Sequence, residues 1–474
     1  MNESTAANDF STVRDFPDRL SPMVVKELRQ GLRARYFAGT LIGFHALLWI
    51  IMVTDSQEMA GSGRMRAVWW LFAALMLVIL PLRGLSVLTD ERRANTMDML
   101  VLTNLTAGRI VRGKWLAIAA QITLIAVSVI PYVLMMYFSR GLSLPGLLLV
   151  LFRVWLGGLL LTALFVSFSW NQSWITRAGL AMGSLWLIFS RHFSGMMDEL
   201  FIGTAGHGER MLAATLPGIS SLPGNAGQLW NSLPVAAAEC LAMAALGFVF
   251  LEFGAGLLGP TENHSTPPRA TALGLLGLAL LSSGDSFYGG TLRAFAVWTL
   301  TAVTVFALTE KPAPLSLRPR GWRRWNPFSP GLPQGILFSC AAWFLALFFL
   351  AGKNFPGMEA TVHRLAAWLF CGRLVMFLLP RRHRSGAGPL FLTGLAFLLI
   401  QSGLRLAGSL LNDPEPWNLA AGAVPSPVNL TDLNHFPLTL NLACAGILGC
   451  GLIALVNPLL PVRSNQSTPE PAAA

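Results

Sequence analysis

A chain of 474 residues that is 54% hydrophobic and only 12% charged, with a mean hydropathy of +0.57, is not a soluble domain, where about a quarter of residues are charged. The composition is that of an all-α, polytopic integral membrane protein. A formal net charge of +11 would suggest nucleic acid in a soluble chain, but in a membrane chain Lys and Arg gather in cytoplasmic loops over anionic lipid, so no nucleic-acid partner is expected.

Residues 1–20 are polar and lack the apolar core of a cleaved signal peptide, so the N-terminus is expected to stay in the cytoplasm. Ser21 and Pro22 suit the N-cap and first position of a helix. In that helix Val24, Val25, Leu28, Leu32 and Tyr36 form one stripe, and Lys26, Arg29 and Arg33 form its neighbour. The expectation is an interfacial amphipathic helix within a cytoplasmic segment 1–36, resting on membrane lipid.

Apolar runs at about 37–53 and 67–88 are long enough, or nearly so, to cross about 30 Å of hydrocarbon. Between the second run and the third, about 115–138, lies a charged segment, 89–115, that must stand in water. Asp90 and Glu91 suit the positive end of a helix. Met97, Leu100, Val101 and Leu102 give that helix an apolar side, so it has a face with which to dock. Thr106 is placed to cap a second helix carrying Arg109, Arg112 and Lys114, which enters the bilayer at Trp115.

Glu91-Arg-Arg-Ala-Asn-Thr-Met-Asp-Met-Leu-Val-Leu-Thr-Asn-Leu-Thr106, followed by Gly113-Lys114, resembles a pattern of the exporter-like (type-2) class of ABC transporter permeases. That pattern, E-R-E-x-G-T-hydrophobic-E-x-L-L-x-T-P-L-S … G-K, lies between their second and third spans. The chain departs from it at Arg93, Asn95 and Asn104, where the family has Glu, Gly and Pro. Ser21-Pro-Met-Val-Val-Lys-Glu-Leu-Arg-Gln-Gly-Leu-Arg-Ala-Arg35 resembles the family's N-P-x-x-x-K-E-L-R-x-x-x-R-x-R opening. The likeness covers roughly the first half of the chain. It implies a permease subunit that forms the pathway of an ATP-driven exporter, is not itself an enzyme, and works with a second permease subunit, like or unlike. It also implies a separate P-loop ATPase subunit that holds ATP and magnesium and presses on Asp90, Glu91, Arg92, Met97, Asp98, Leu100 and Val101.

Further apolar runs follow at about 146–168, 173–190 and 235–258, then at 270–283, 292–309, 335–352, 361–380, 388–406 and 438–459, the first of this last set being short. The expected count is about twelve spans. From a cytoplasmic N-terminus, inside segments hold 23 Lys or Arg and outside segments 7, with Arg153, Arg364, Arg373 and Arg405 within spans. Both termini are therefore expected in the cytoplasm, in a bacterial inner membrane. The expected organisation is a six-span core, 37–258, a proline-rich linker, 259–269, a six-span extension, 270–461, and a disordered tail, 462–474. In the resembling family the outer loop here numbered 191–234 forms short re-entrant helices, and Met211–Pro217 is apolar enough for that.

Recognisable chemistry is sparse. Gly108 to Lys114 has P-loop spacing, but Trp115 stands where a magnesium-binding hydroxyl belongs and no strand precedes it. Seven histidines are scattered, and five cysteines sit in apolar runs without ligand spacing, so no metal or cofactor is expected in this chain. His45, mid-span, is expected to be neutral and hydrogen-bonded. Arg318-Pro-Arg-Gly-Trp-Arg-Arg-Trp325 suits an inside loop at the headgroup level. Two alternatives stay open: a proton-coupled carrier, for which Glu239 and Glu252 are the candidate acids, and a membrane scaffold or assembly protein.

Overall fold

The computed structural model describes residues 22–53, 62–89, 106–140, 144–169, 226–259, 264–281, 287–310, 326–350, 356–378, 387–410, 424 and 436–456. Among the described residues every regular element is helical. Seven helices there are long and apolar enough to cross a bilayer, which makes this a multi-pass membrane protein. Eleven of the expected apolar runs are helices; the run 173–190 lies outside the described residues. Thr266–Leu281 has 16 residues, about 24 Å of helix, short of the hydrocarbon thickness. The chain forms two compact units, Met1–Thr215 and Leu216–Ala474.

The first unit contains α1 (Pro22–Arg33), α2 (Arg35–Val53), α3 (Ser62–Ala74 and its continuation to Thr89), α4 (Ala107–Arg140) and α5 (Leu144–Phe168). Only Ala34 separates α1 from α2, and its carbonyl accepts the N–H groups of Phe37 and Ala38, at 3.0 and 3.3 Å, which start the second helix. The middle of α3 widens into a π turn, Leu75–Ile79, in which the N–H of Leu80 reaches the carbonyl of Leu75. Pro81 follows; it has no N–H to give the carbonyl of Leu77, and the wider turn accommodates the break. The widened turn meets Gly158 of α5, where a Cβ would stand 2.8 Å from the carbonyl oxygen of Met76. Glycine is thus the residue that lets the two backbones approach.

Side-chain pairings fix the helix directions in this unit. Gly157 and Gly158 meet Leu77 and Met76, while Gly84 meets Phe165 and Val166, so α3 and α5 run parallel. Trp115 donates to the carbonyl of Leu159 at 3.1 Å and Trp155 to Thr123 at 3.0 Å, so α4 and α5 run antiparallel. Glu27 pairs with Lys114 and His45 with Ser128 and Tyr132, so α1 and α2 both run alongside α4 in its own direction. The start of α2, the end of α3, the start of α4 and the end of α5 therefore share one end of the unit. Arg33, Arg35, Arg83, Arg109, Arg112 and Lys114 gather there, and we call it the basic end.

The second unit contains α6 (Ala226–Leu258), α7 (Thr266–Leu281), α8 (Phe287–Thr309), α9 (Leu332–Leu350), α10 (Pro356–Leu378), α11 (Ala387–Leu410) and α12 (Phe436–Val456). The sixth apolar run, expected as the last span of the core, belongs to this unit as α6. Its Phe253 stacks on Phe306 of α8 with ring centroids 3.6 Å apart, and its Ala242 is buried with Leu275, Ala279 and Ala296. Gly331, at φ 130°, turns the chain into α9. Trp343 of α9 then donates to Thr304 of α8 at 2.8 Å, and Gly335 lies flat on the backbone of Ala307. Cysteines fill the contacts of α12: Cys340 and Cys450 lie 3.4 and 3.5 Å from the carbonyls of Ile447 and Phe370. These thiols act as small packing groups with weak donors.

Candidate functional site

At the basic end of the first unit, α1 is held against the opening turns of α4. Lys114 is 2% exposed and its Nζ lies 3.2 Å from Glu27 Oε1. One turn further along, Gly31 sits directly on the side-chain amide of Gln121, which any larger residue would displace. The Oε1 of that amide accepts a hydrogen bond from Arg83. The Arg83 guanidinium also lies 5.1 Å from the centroid of Tyr36. The end of α3, the junction of α1 with α2, and the start of α4 are therefore tied through Arg83, Tyr36, Gln121, Glu27 and Lys114. These are charged and polar groups at a helix junction where an unpaired charge is expensive.

The segment 90–105 leaves from this framework and returns to it. Its Asp90, Glu91, Arg92, Met97, Asp98, Leu100 and Val101 lie outside the described residues. Its two anchors are described: Thr89, whose hydroxyl donates to Ser86 O at 2.8 Å, and Thr106. The Thr106 carbonyl accepts from Arg109 N at 2.9 Å and Ile110 N at 3.2 Å, so Thr106 holds the N-cap position of α4 as expected. The Gly108–Lys114 spacing is continuous helix, with Lys114 committed to Glu27. A phosphate-cradling loop is absent from it. Trp115, half-buried, takes part in the packing of α4 on α5.

On α1, the expected apolar stripe divides. Val24 is buried at 9% exposure, Leu28 is half-buried, and Leu32 is exposed at 39%. Lys26, Arg29 and Arg33 are all exposed. The face turned to α4 is Val24, Glu27, Leu28 and Gly31, with the basic residues on the opposite side. Periodicity alone missed Glu27, because a lone acid among bases on a surface helix gives no sign that it has a buried partner. The available signal was the Lys114 ammonium, fixed between two apolar stretches.

Deeper in the unit, His45 lies 3.0 Å from Ser128 Oγ through Nε2 and 3.2 Å from Tyr132 through Nδ1. The Ser128 hydroxyl donates to Ile125 O at 2.7 Å. Its oxygen is therefore left to accept from Nε2–H, and Nδ1 accepts from Tyr132. This is the arrangement of a neutral imidazole.

The second unit has its own polar node. Arg269, 2% exposed, donates to the carbonyls of Pro327 and Ser329, each at 2.6 Å, and to Glu310 Oε2 at 2.5 Å. Ser265 donates to the other Glu310 oxygen and Thr266 to Phe328 O at 2.9 Å. Nearby His264 pairs with Glu252 at 2.9 Å. The node fastens the segment before α7 to both ends of the α8–α9 loop. All its acceptors are the chain's own groups, so it clamps the fold. Arg318–Trp325, residues 191–225 with Met211–Pro217, and the tail 462–474 lie outside the described residues; residues 226–234, expected as the end of the outer loop 191–234, are instead the opening turns of α6. Among the described residues, no group of three His, Cys, Asp or Glu side chains is placed to hold a metal.

Comparison of the chain with protein-family models, with curated proteins and with solved structures gives no match. Function must therefore be argued from the residues and their arrangement.

Proposed function

We propose that the chain is the permease subunit of an ATP-driven transporter of the exporter-like ABC class. In this reading it lies in a bacterial inner membrane, pairs with a second permease subunit, and is driven by a separate P-loop ATPase that docks on 89–103. The observation that carries the reading is the motif of 91–106 standing between the end of α3 and the start of α4, both tied to one polar framework. A force on the segment reaches α3 at Thr89 and α4 at Thr106, and through Gln121 and Lys114 it reaches α1 and α2. A docking element needs such an anchorage, since a load borne by one loose loop would be lost to local motion. The carboxylate buried among the described residues, Glu252, is held by His264 near the end of its helix. No observation raises the proton-coupled carrier above this reading.

The test is co-purification and ATPase stimulation in the reconstituted complex. Glu91→Lys reverses the charge at a helix N-terminus, and Leu100→Asp places a charge in the docking groove. Each variant is expected to insert and fold but to lose its hold on the ATPase. If both retain full complex formation and substrate-stimulated hydrolysis, the segment is only a solvated loop and the reading falls.

A further inference from the structure

We propose that α2 is a hinged span, latched to α4 at mid-membrane by the hydrogen bonds of His45 with Ser128 and Tyr132, and that release of this latch parts the two helices from His45 to the end of α2. The inference needs the membrane reading but not the ATPase. Its first ground is how unevenly α2 is held. At its start the helix is fixed. One residue away, across the non-helical Ala34, α1 is bound to α4 by Glu27 with Lys114 and by Gly31 on Gln121, and Tyr36 lies against the Arg83 guanidinium. Beyond that start, only Phe37, Phe44 and Leu48 of its 19 residues are buried. Phe44 reaches α3, its ring centroid 6.5 Å from that of Phe72. After Leu48 no residue of the helix is buried, and Trp49, Ile50 and Val53 are exposed. Among the described residues, α2 is the least buried of the seven long apolar helices.

The second ground is the strength and place of the polar contact. His45 presents Nε2 to Ser128 Oγ at 3.0 Å and Nδ1 to Tyr132 at 3.2 Å, and its ring lies on that of Tyr132 with centroids 5.5 Å apart and planes 22° from parallel. A hydrogen bond between spans shifts a two-state population by about threefold, and two together by about eightfold. That is enough to hold a sparsely packed helix and little enough to be released. At about 1.5 Å per residue, His45 stands about 16 Å from Ala34 and Val53 about 28 Å. An opening of about 2 Å at His45 breaks both bonds and, by the ratio of the two lever arms, becomes about 3.5 Å at Val53. The hinge is thus a single residue at the clamped end, and the latch sits midway along the lever.

The experiment measures distances between spin labels on the full chain in nanodiscs by double electron–electron resonance, with the five native cysteines replaced by alanine. One label pair, Val53→Cys/Phe138→Cys, reads the far end of the seam, where both residues are exposed. The other, Gly39→Cys/Leu124→Cys, reads the hinge side, where Gly39 has open space around it and Leu124 is exposed. His45→Phe keeps a ring and removes both bonds. It is expected to raise a component about 3.5 Å longer in the far pair, with about eightfold the wild-type population, while the hinge pair moves by no more than about 1 Å. Ser128→Ala/Tyr132→Phe should do the same with His45 in place, which reads the latch even where His45→Phe fails to fold. His45→Phe/Ser128→Ala/Tyr132→Phe should open the seam no further than either, because the same two bonds are already gone. A wild-type distribution in the far pair of Ser128→Ala/Tyr132→Phe would overturn the proposal. So would equal lengthening of both pairs, which marks a detached helix rather than a hinged one, or further opening in the triple variant.

Discussion

Replacing Glu27 with Gln tests whether α1 is held to α4 by the buried pair or merely lies beside it. Lys114 is 2% exposed and Glu27 20%, with N···O at 3.2 Å. Removing one partner of a fully buried ion pair costs about 3–5 kcal/mol, because the remaining charge stays desolvated. Glu27 keeps a fifth of its surface open, so water reaches the pair and the expected loss falls to about 2 kcal/mol. Lys114→Met is expected to cost less, about 1 kcal/mol, since Glu27 can turn outward and the Met stem keeps the packing. The informative quantity is the double-mutant cycle. Glu27→Gln/Lys114→Met should be more stable than the sum of the single losses implies, with a coupling of about 1–2 kcal/mol. Reversible unfolding in mixed lipid–detergent micelles, followed by circular dichroism, measures all four proteins. Strict additivity would refute the argument, for it would mean that Lys114 and Glu27 do not sense each other.

Arg269→Lys is expected to destabilise the chain by about 2–3 kcal/mol in the same assay, because an ammonium cannot present a fork to Glu310 and two carbonyls at once; a loss below about 0.5 kcal/mol would show that the node is dispensable. Single-cysteine labelling in sealed vesicles is expected to place positions 90, 320 and 383 on the cytoplasmic side and 205 and 425 outside, from the 23 to 7 division of Lys and Arg. Labelling of position 320 from the outside would overturn the arrangement of the second half.

Where each helix forms was legible in the sequence because hydropathy and length alone decide it. Every described apolar run is helical, and the short run at 270–283 is a helix of 16 residues, shorter than the seven long apolar helices. The pairings were not legible, because they rest on small groups with no periodic signature. Gly158 admits the Met76 carbonyl, Gly335 admits the Ala307 backbone, and Trp343 finds Thr304. Assignment of the sixth run to the second unit follows from Phe253 meeting Phe306, a contact between residues 53 positions apart that hydropathy cannot weight. Arg373 shows the same limit. Placed within a span by the sequence, it is 1% exposed, with its guanidinium 4.6 Å from the Phe377 ring centroid. At the candidate site, the motif residues of 90–101 could be named from the sequence, whereas the framework that anchors them could not, since Arg83, Gln121 and Glu27 lie far apart in the chain.

The length of α4 explains why that framework stands where it does. Its 34 residues make about 51 Å of helix, some 20 Å more than the hydrocarbon requires. A helix that overshoots must tilt or project its excess into water, where its polar turns need partners. About 12 Å of that excess, residues 107–114, lies toward the N-terminus, where Arg109, Arg112 and Lys114 precede the apolar run. Alongside those turns runs α1, which supplies Glu27 to the buried Lys114 and a glycine to admit Gln121. The overshoot is thus stiffened by a second helix rather than left as a bare rod. Because α1 continues into α2 after one residue, a displacement at Thr106 acts on two spans through the Lys114 contact. A loop attached to an unsupported α4 would bend the projecting turns first. The pairing of α1 with α4 therefore ties Thr106, where the segment 90–105 ends, to two spans of the unit.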